Sequence, residues 1–203
     1  MSRLAQLAGA DGVFLIGHSM PAEELLACVT AVAVQRFLSG FWIGVNFLDL
    51  TSKRSFEVIL DYSAKSGVQI DGLWTDKASN DTDELRTQCP DLCYFGGTAF
   101  KYQPQPKDLE AAARAASLHM DFVTTSGPGT GQAADVSKMQ SMKRGVGSGS
   151  LALASGITPQ NVCRYLPYVD ALLVATGISR NFRELDRDKL DQLIANVRNW
   201  KPA

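Results

Sequence analysis

Three side chains with acid–base chemistry, His18, Asp76 and Lys101, each stand where an apolar run gives out. His18 follows Val13-Phe-Leu-Ile-Gly17, Asp76 follows Gly72-Leu-Trp-Thr75, and Lys101 follows Tyr94-Phe-Gly-Gly-Thr-Ala-Phe100. An imidazole titrates near working pH and suits a general acid or base; its plainer role is to open the helix that begins near Pro21. Asp76 has the chemistry of a general base or a magnesium ligand, and equally that of a turn cap. A lysine leaving a desolvated strand end can act as a base or Schiff-base nucleophile if its pKa falls. If it stays charged it holds a phosphate or carboxylate, and if solvated it does neither. Asn46, between Val45 and Phe47, needs hydrogen-bond partners once buried, from a ligand or from a neighbouring loop. Thr125 and Ser126 end the run that starts at Phe122 and add two hydroxyls to the same set.

Two further segments point to an anion. Leu151-Ala-Leu-Ala-Ser155-Gly156-Ile-Thr158 and Leu172-Leu-Val-Ala-Thr176-Gly177-Ile-Ser179 both run apolar, then small and polar, then Gly. Such runs read as strands buried on both faces. The Ser155-Gly156 and Thr176-Gly177 steps turn the backbone tightly and free amides to face an anion. Two such turns in succession are what a (β/α)8 barrel places after its last two strands to hold a phosphate. Gly127-Pro-Gly-Thr-Gly131 adds a flexible loop that suits a lid or a further amide nest, without P-loop spacing.

The elements that must position these residues alternate along the chain. Strands are predicted at 13–16, 42–48, 72–75, 92–100 and 122–125, then in the two segments just described. Helices are predicted from Pro21, at 52–65, 83–88, 108–118, 135–144, 159–166 and 188–199. Strict alternation implies parallel strands with crossover helices. The expected fold is therefore α/β, a (β/α)8 TIM-type barrel in a single domain over residues 1–203. It is N-terminally incomplete, with about seven βα units visible. A gap with an apolar slot is expected between the strands at Val13 and Leu172. An Asp precedes an apolar strand at Asp11, Asp71, Asp121 and Asp170, recurring every ~50–60 residues, about two βα units. These carboxylates fall at the N-terminal ends of strands, the stability face of a barrel, and read as structural. Asp76 and Lys101 end successive strands, so they are expected to face one mouth, close enough for opposite charges to interact.

Composition narrows the partners. A 203-residue chain of net charge −1, 45% hydrophobic and 20% charged, fits one soluble domain. That balance gives no electrostatic reason to expect nucleic acid or an anionic membrane. The apolar stretch from Leu25 to Leu38 is too short to span a bilayer and contains Gln35 and Arg36, so no integral membrane segment is expected. Cys28, Cys89, Cys93 and Cys163 form no CxxC pair, and the chain has only two histidines. No metal site is expected, and reduced thiols in the cytoplasm, or an organelle interior after import, are the reading. His119 reads as a helix-end charge, and Trp42 and Trp74 as packing residues.

Several strings together, DGVFLIGH, FWIGVNFL, GLWTD, YFGGTAFKYQ, FVTTSGPGTGQA, LALASGITPQNV and LLVATGIS, resemble the BtpA/SgcQ family of phosphate-binding TIM barrels. The resemblance runs from about Gly12 to the final helix. The family begins with a further strand and glycine-rich loop that this sequence does not show. Membership implies a barrel that binds a phosphorylated ligand. One branch of the family is linked to photosystem I stability and others to bacterial sugar metabolism.

Three functions follow as expectations. The first is an enzyme acting on a small sugar or nucleoside phosphate by lyase, isomerase or glycosidic-bond-cleaving chemistry. Catalysis would fall to Asp76, Lys101 and His18, and binding to Asn46, Thr125, Ser126, Ser155, Gly156, Thr176 and Gly177. The second is a non-catalytic assembly or stability factor that keeps the barrel. The third is a flavin-binding barrel using the same turns. The sequence requires no cofactor, and both a monomer and a homo-oligomer stay open.

Overall fold

The computed structural model describes residues 1–202. Its strands are β1 (Gly12–Ile16), β2 (Trp42–Asn46), β3 (Gly72–Thr75), β4 (Cys93–Gly97), β5 (Phe122–Ser126), β6 (Ser150–Ala154) and β7 (Ala171–Leu173). They pair in that order, every pair parallel, into one seven-stranded sheet that curls into a nearly closed TIM-type barrel. The helices are α1 (Ser2–Ala8), α2 (Ala22–Val34), α3 (Ser52–Ser66), α4 (Asp83–Gln88), α5 (Leu109–Ala116), α6 (Val136–Val146) and α7 (Arg187–Asn199). A short antiparallel hairpin, β8 (Ser179–Asn181) and β9 (Glu184–Leu185), follows β7.

Side-chain alternation along each strand divides the core in two. Ile43, Val45, Leu73, Tyr94, Val123, Leu151 and Leu153 pack outward in one cluster with helix residues such as Val29, Phe56, Ala113 and Met139. Trp74, Phe95, Phe100, Ala152 and Ala154 form the second cluster, with Phe14, Trp42, Phe122 and Leu173 against it. This second cluster fills the barrel. Phe95 stacks on Phe122 with ring centroids 4.2 Å apart, and Phe14 meets Trp42, Trp74 and Phe95 edge-on.

The strand predicted at 42–48 and the helix predicted at 108–118 each come out two or three residues shorter, as Trp42–Asn46 and Leu109–Ala116, and two other elements shorten for a visible reason. The run expected as a strand over 92–100 stops at Gly97, because Ala99 takes φ +48° and the Phe100 amide is bonded by the Gln103 side chain. The helix expected over 159–166 shrinks to one 3-10 turn at Val162–Arg164. Asn161 explains this: its side chain accepts from the Thr158 amide and donates to the Gly156 carbonyl, competing with the helix ladder.

The recurring aspartates have one geometry. Asp71 accepts from the Ile43 amide at 2.8 Å, Asp121 from Tyr94 at 2.7 Å and Asp170 from Leu151 at 2.9 Å. In each case the carboxylate before an odd-numbered strand captures the second amide of the even-numbered strand preceding it. A cation joins each one: Arg36 at 4.0 Å, Arg86 at 2.7 Å and Lys143 at 2.8 Å. Asp11, before β1, has no such strand beside it and pairs only with Arg198 of α7.

β1 and β7 are the sheet edges, and every residue of both is partly exposed, whereas β2 to β6 are buried beyond their first residue or throughout. The two edges do not pair. Outside this seam, α1 and α7 pack together, and Arg198 also donates to the Gly9 carbonyl at 3.3 Å. At the C-terminal end of the strands, His18 meets Phe182 of the β8–β9 turn, ring centroids 5.2 Å apart.

Asp121→Ala should lower stability by about 1–3 kcal/mol, since it leaves the Tyr94 amide buried without an acceptor. Asp11→Ala, which removes only a surface pair, should stay within about 0.5 kcal/mol. Urea unfolding of the two variants against the parent checks the contrast.

Candidate active site at the barrel mouth

The C-terminal strand ends and the loops after them form the mouth. On the β2–β3 side, Asn46 is 1% exposed and donates through Nδ2 to Asp76 Oδ1 at 2.9 Å. The Asp76 main-chain oxygen accepts from Gln103 Nε2 at 2.6 Å. This fixes the loop after β3 against the loop after β4. Asn46 Oδ1 is buried with no protein partner, as is Trp74 Nε1.

Lys101 is held by the loop after β5. The chain bends through Ala99 at φ +48° and Tyr102 at φ +63°, and the Lys101 amide donates to Ser126 Oγ at 2.7 Å. Its ammonium lies 3.3 Å from Thr130 Oγ1 and 5.5 Å from the Phe100 ring centroid. The expected proximity of opposite charges therefore stops short of an ion pair: among the described residues neither Asp76 nor Lys101 makes a salt bridge. Lys101 instead holds the tip of the Gly127–Gly131 loop, together with the Tyr102 hydroxyl, 3.5 Å from Thr130 Oγ1. That hydrogen bond draws the Tyr102 phenol below its ordinary range.

The glycine turns stack on one another. Ser155 and Gly156 both adopt left-handed backbone, at φ +66° and +69°. A Cβ at Gly156 would overlap the Gln132 carbonyl, and one at Gly177 would overlap the Ile157 carbonyl. The loop after β5, the turn after β6 and the 3-10 turn at Thr176–Ile178 thus lie in direct contact, which only glycine allows. Among the described residues, the amides of Gly156, Ile157, Thr176 and Gly177 donate to no protein acceptor. Gly131 sits beside the Thr176 methyl, so the loop held by Lys101 reaches the second turn.

Thr125 and Ser126 have other work. Thr125 donates to the Ala99 carbonyl at 3.3 Å and Ser126 to the Gly127 carbonyl at 2.8 Å, and neither residue is exposed. Their hydroxyls hold loops rather than face the mouth. His18 is exposed, on the seam side, against Phe182.

Lys138, in the first turn of α6, was not singled out by its sequence context. Its ammonium donates to the Ala99 carbonyl at 2.6 Å and the Ser126 carbonyl at 2.7 Å, tying the β4 and β5 loops together. Burial pushes it below the ordinary lysine range, with Asp135 opposing. The only hint in the sequence is its place one turn into a helix that starts directly after a glycine loop.

Trp74 and Phe100 fill the barrel beneath the mouth, so a ligand must lie across the loops instead of sinking between the strands. A cleft of about 380 Å³ opens beside the mouth between Ser19, Met20, Phe47 and Leu48. A second, of about 400 Å³, lies at the opposite end near Arg86, Cys89 and Asp121. Among the described residues no three His, Cys, Asp or Glu side chains group as metal ligands, and Asp76 is joined by an amide, not a second carboxylate.

No family profile matches the chain, and no curated protein matches it. Solved structures do. Phosphoribosyl anthranilate isomerase from Thermus thermophilus superposes with a TM-score of 0.70 at 19% identity, covering 97% of this chain and 92% of that one. The Thermotoga maritima isomerase gives 0.70 at 17% identity, over 98% and 93%. Thiamine phosphate pyrophosphorylase from Pyrococcus furiosus gives 0.70 at 15% identity, over 97% and 87%. At these identities the likeness establishes the fold. No helix is long and apolar enough to cross a membrane among the described residues.

A lysine pKa lowered in the folded state means the unfolded chain binds more protons. The contribution of Lys138 to stability is therefore lost as pH falls through its folded pKa and fully present above the ordinary lysine value of about 10.4. The unfolding free energy of the parent should accordingly gain on that of Lys138→Met as pH rises from 7 toward 10. Denaturant titrations at stepped pH read this slope, and the reverse slope would mean that the two carbonyls outweigh burial.

Proposed function

We propose that this chain is an enzyme acting on a small phosphorylated metabolite, a sugar or nucleoside phosphate, bound across the barrel mouth. The observation that carries the reading is the pair of stacked glycine turns after β6 and β7, in which the amides of Gly156, Ile157, Thr176 and Gly177 have no protein acceptor among the described residues. Such amides in tight turns form an anion nest. Lys101, tied to the adjoining loop through Thr130, supplies a cation on the β4 side. Asp76, oriented by Asn46, is the base, and isomerase-type proton transfer is the chemistry that one carboxylate and one ammonium support. His18 stands at the seam edge of the same mouth as the third candidate acid or base.

The structural neighbours support this reading as far as a shared fold allows. They are named for phosphoribosyl anthranilate isomerization and thiamine phosphate synthesis, and one isomerase holds reduced 1-(o-carboxyphenylamino)-1-deoxyribulose 5-phosphate. The Thermotoga maritima isomerase is dimeric, and association of identical chains is part of the proposal here. So are membership of the BtpA/SgcQ family, on the strings quoted above, and a reducing, cytoplasmic setting, on the cysteine usage. The second reading, a binding or assembly factor without turnover, draws on the filled barrel and the absence of an Asp76–Lys101 ion pair.

A thermal-shift screen against phosphorylated sugars and nucleotides tests the proposal, since a ligand at a hundred times its Kd adds about 2.7 kcal/mol. Gly177→Val should abolish the shift from phosphorylated compounds and leave any response to their dephosphorylated forms unchanged; equal loss for both would remove the phosphate role. Lys101→Ala should lower turnover by at least ~10²-fold with the fold retained, as removal of a charge-stabilising donor does elsewhere. Binding without turnover in the parent would favour the assembly factor.

A further inference from the structure

α2 is apolar on more sides than it buries. Leu25, Leu26 and Val29 pack into the core, while Ala27, Cys28, Thr30, Ala31 and Val34 are exposed. At about 100° per residue, those five fall on one half of the helix surface. No charged side chain stands between Glu24 and Arg36. The other long helices show the ordinary pattern: Arg54 of α3, Arg114 of α5, Arg144 of α6 and Lys189 of α7 are exposed. A helix apolar all round belongs inside a larger body. The polar group in the middle of this face already has partners. Thr30 Oγ1 donates to the Leu26 carbonyl at 3.2 Å and lies 2.8 Å from the Tyr62 hydroxyl, so covering the face does not strand it. The patch continues past the helix end. Val34 is 82% exposed and Phe37 51%, with Leu38 exposed beside it. Gln6 accepts from the Phe37 and Leu38 amides at 3.0 and 3.3 Å, which holds this turn against α1, whose Leu7 is exposed as well.

We infer that the outer face of α2 is the contact between two copies of this chain, paired antiparallel about a twofold axis near Ala31. The charges at the helix ends select this partner. Glu23 and Glu24 open the helix and make no ion pair among the described residues. Arg36 follows its other end, 4.0 Å from Asp71 but with 39% of its side chain still exposed. A twofold axis across the helix sets the acidic end of each copy beside the basic end of the other. One surface then complements itself, as an isologous interface requires. Antiparallel helices also oppose their dipoles. Ala27 and Ala31 are small enough for the two helices to approach closely, and Val34, Phe37 and Leu38 supply apolar and aromatic area around them. α2 starts at the mouth, after β1, and runs toward the base, so the two mouths of the pair open in opposite directions.

The inference rests on the association of identical chains proposed above and is independent of the phosphate site. Sedimentation velocity of the full chain over a dilution series should show a dimer that dissociates at low concentration. Ala31→Glu sets two carboxylates against each other across the axis and should weaken the dimer at least ~10²-fold, the penalty of like charges meeting in an interface. Val34→Lys should weaken it in the same direction. Cross-linking reads the contact without adding charge. Ala31→Cys, in a chain carrying Cys28→Ser and Cys163→Ser, should be joined into a covalent dimer by a short bismaleimide, and Ala111→Cys on α5 in the same background should not. A parent that stays monomeric throughout overturns the interface and the association together. A parent dimer that withstands both charged variants and does not cross-link at position 31 overturns this interface and leaves association through another face standing. The cross-link decides the matter even if a charged variant fails to fold.

Discussion

A parallel strand whose first amides reach the base of the sheet has to find acceptors there, and in this protein carboxylates provide them. Asp71, Asp121 and Asp170 each take the second amide of the strand beside them, and each is neutralised in part by an arginine or lysine. The bond fixes where one strand begins relative to the next. Since alternate residues face opposite ways, a slip of one residue would exchange the barrel interior for the helix layer. The rim at the far end inherits that register. Asn46 beside Trp74, and Asp76 within reach of Asn46, are consequences of where β2 and β3 start. Chemistry at one end of the barrel thus depends on electrostatics at the other.

At the mouth the organising constraint is backbone against backbone. Three consecutive loops approach so closely that Gly156 and Gly177 cannot carry a side chain, and among the described residues the amides of Gly156, Ile157, Thr176 and Gly177 stay unbonded, while those of Thr158 and Ile178 are taken by Asn161 and Ala175. Lys138 then locks the two preceding loops from behind by donating to two carbonyls, and Lys101 and Tyr102 hold the glycine loop from in front. Lys101, Lys138 and the four unbonded amides lie on the β4–β7 side. The β2–β3 side presents acceptors.

The order and direction of the strands were legible because each is a short apolar run closed by a polar or small residue, and alternation with helices leaves little choice of topology. The structural role of the aspartates was legible from their position before strands. What was not legible concerns direction after a strand ends. Nothing in Thr125-Ser126 says that both hydroxyls turn onto carbonyls: the Thr125 partner is Ala99, at a bend in another loop, and Ser126 turns back onto its own neighbour, Gly127. The loop that follows this bend gives the Lys101 ammonium Thr130 as its partner, not Asp76. Lys138 was invisible for a related reason: a lysine in a polar first turn looks solvated until the carbonyls two loops away are placed. The shortened helix near Asn161 reflects side-chain bonds that periodicity does not encode.

The contact between Arg198 and the Gly9–Asp11 turn joins residues 187 positions apart in the chain. Every neighbouring strand pair in the sheet, by contrast, is formed across one βα unit. The ladder can therefore grow strand by strand as local units condense, while the two ends of the sheet are bridged only when the last helix docks on the first. Long-range closure of this kind carries its entropic cost late in folding. A ribosome-bound chain lacking α7 would hold an ordered but unclosed sheet, with both partly apolar edges, β1 and β7, uncovered on the outside. Because β1 and β7 stay unpaired and partly exposed after α7 docks, the same edges could pair with another copy in the finished barrel as well.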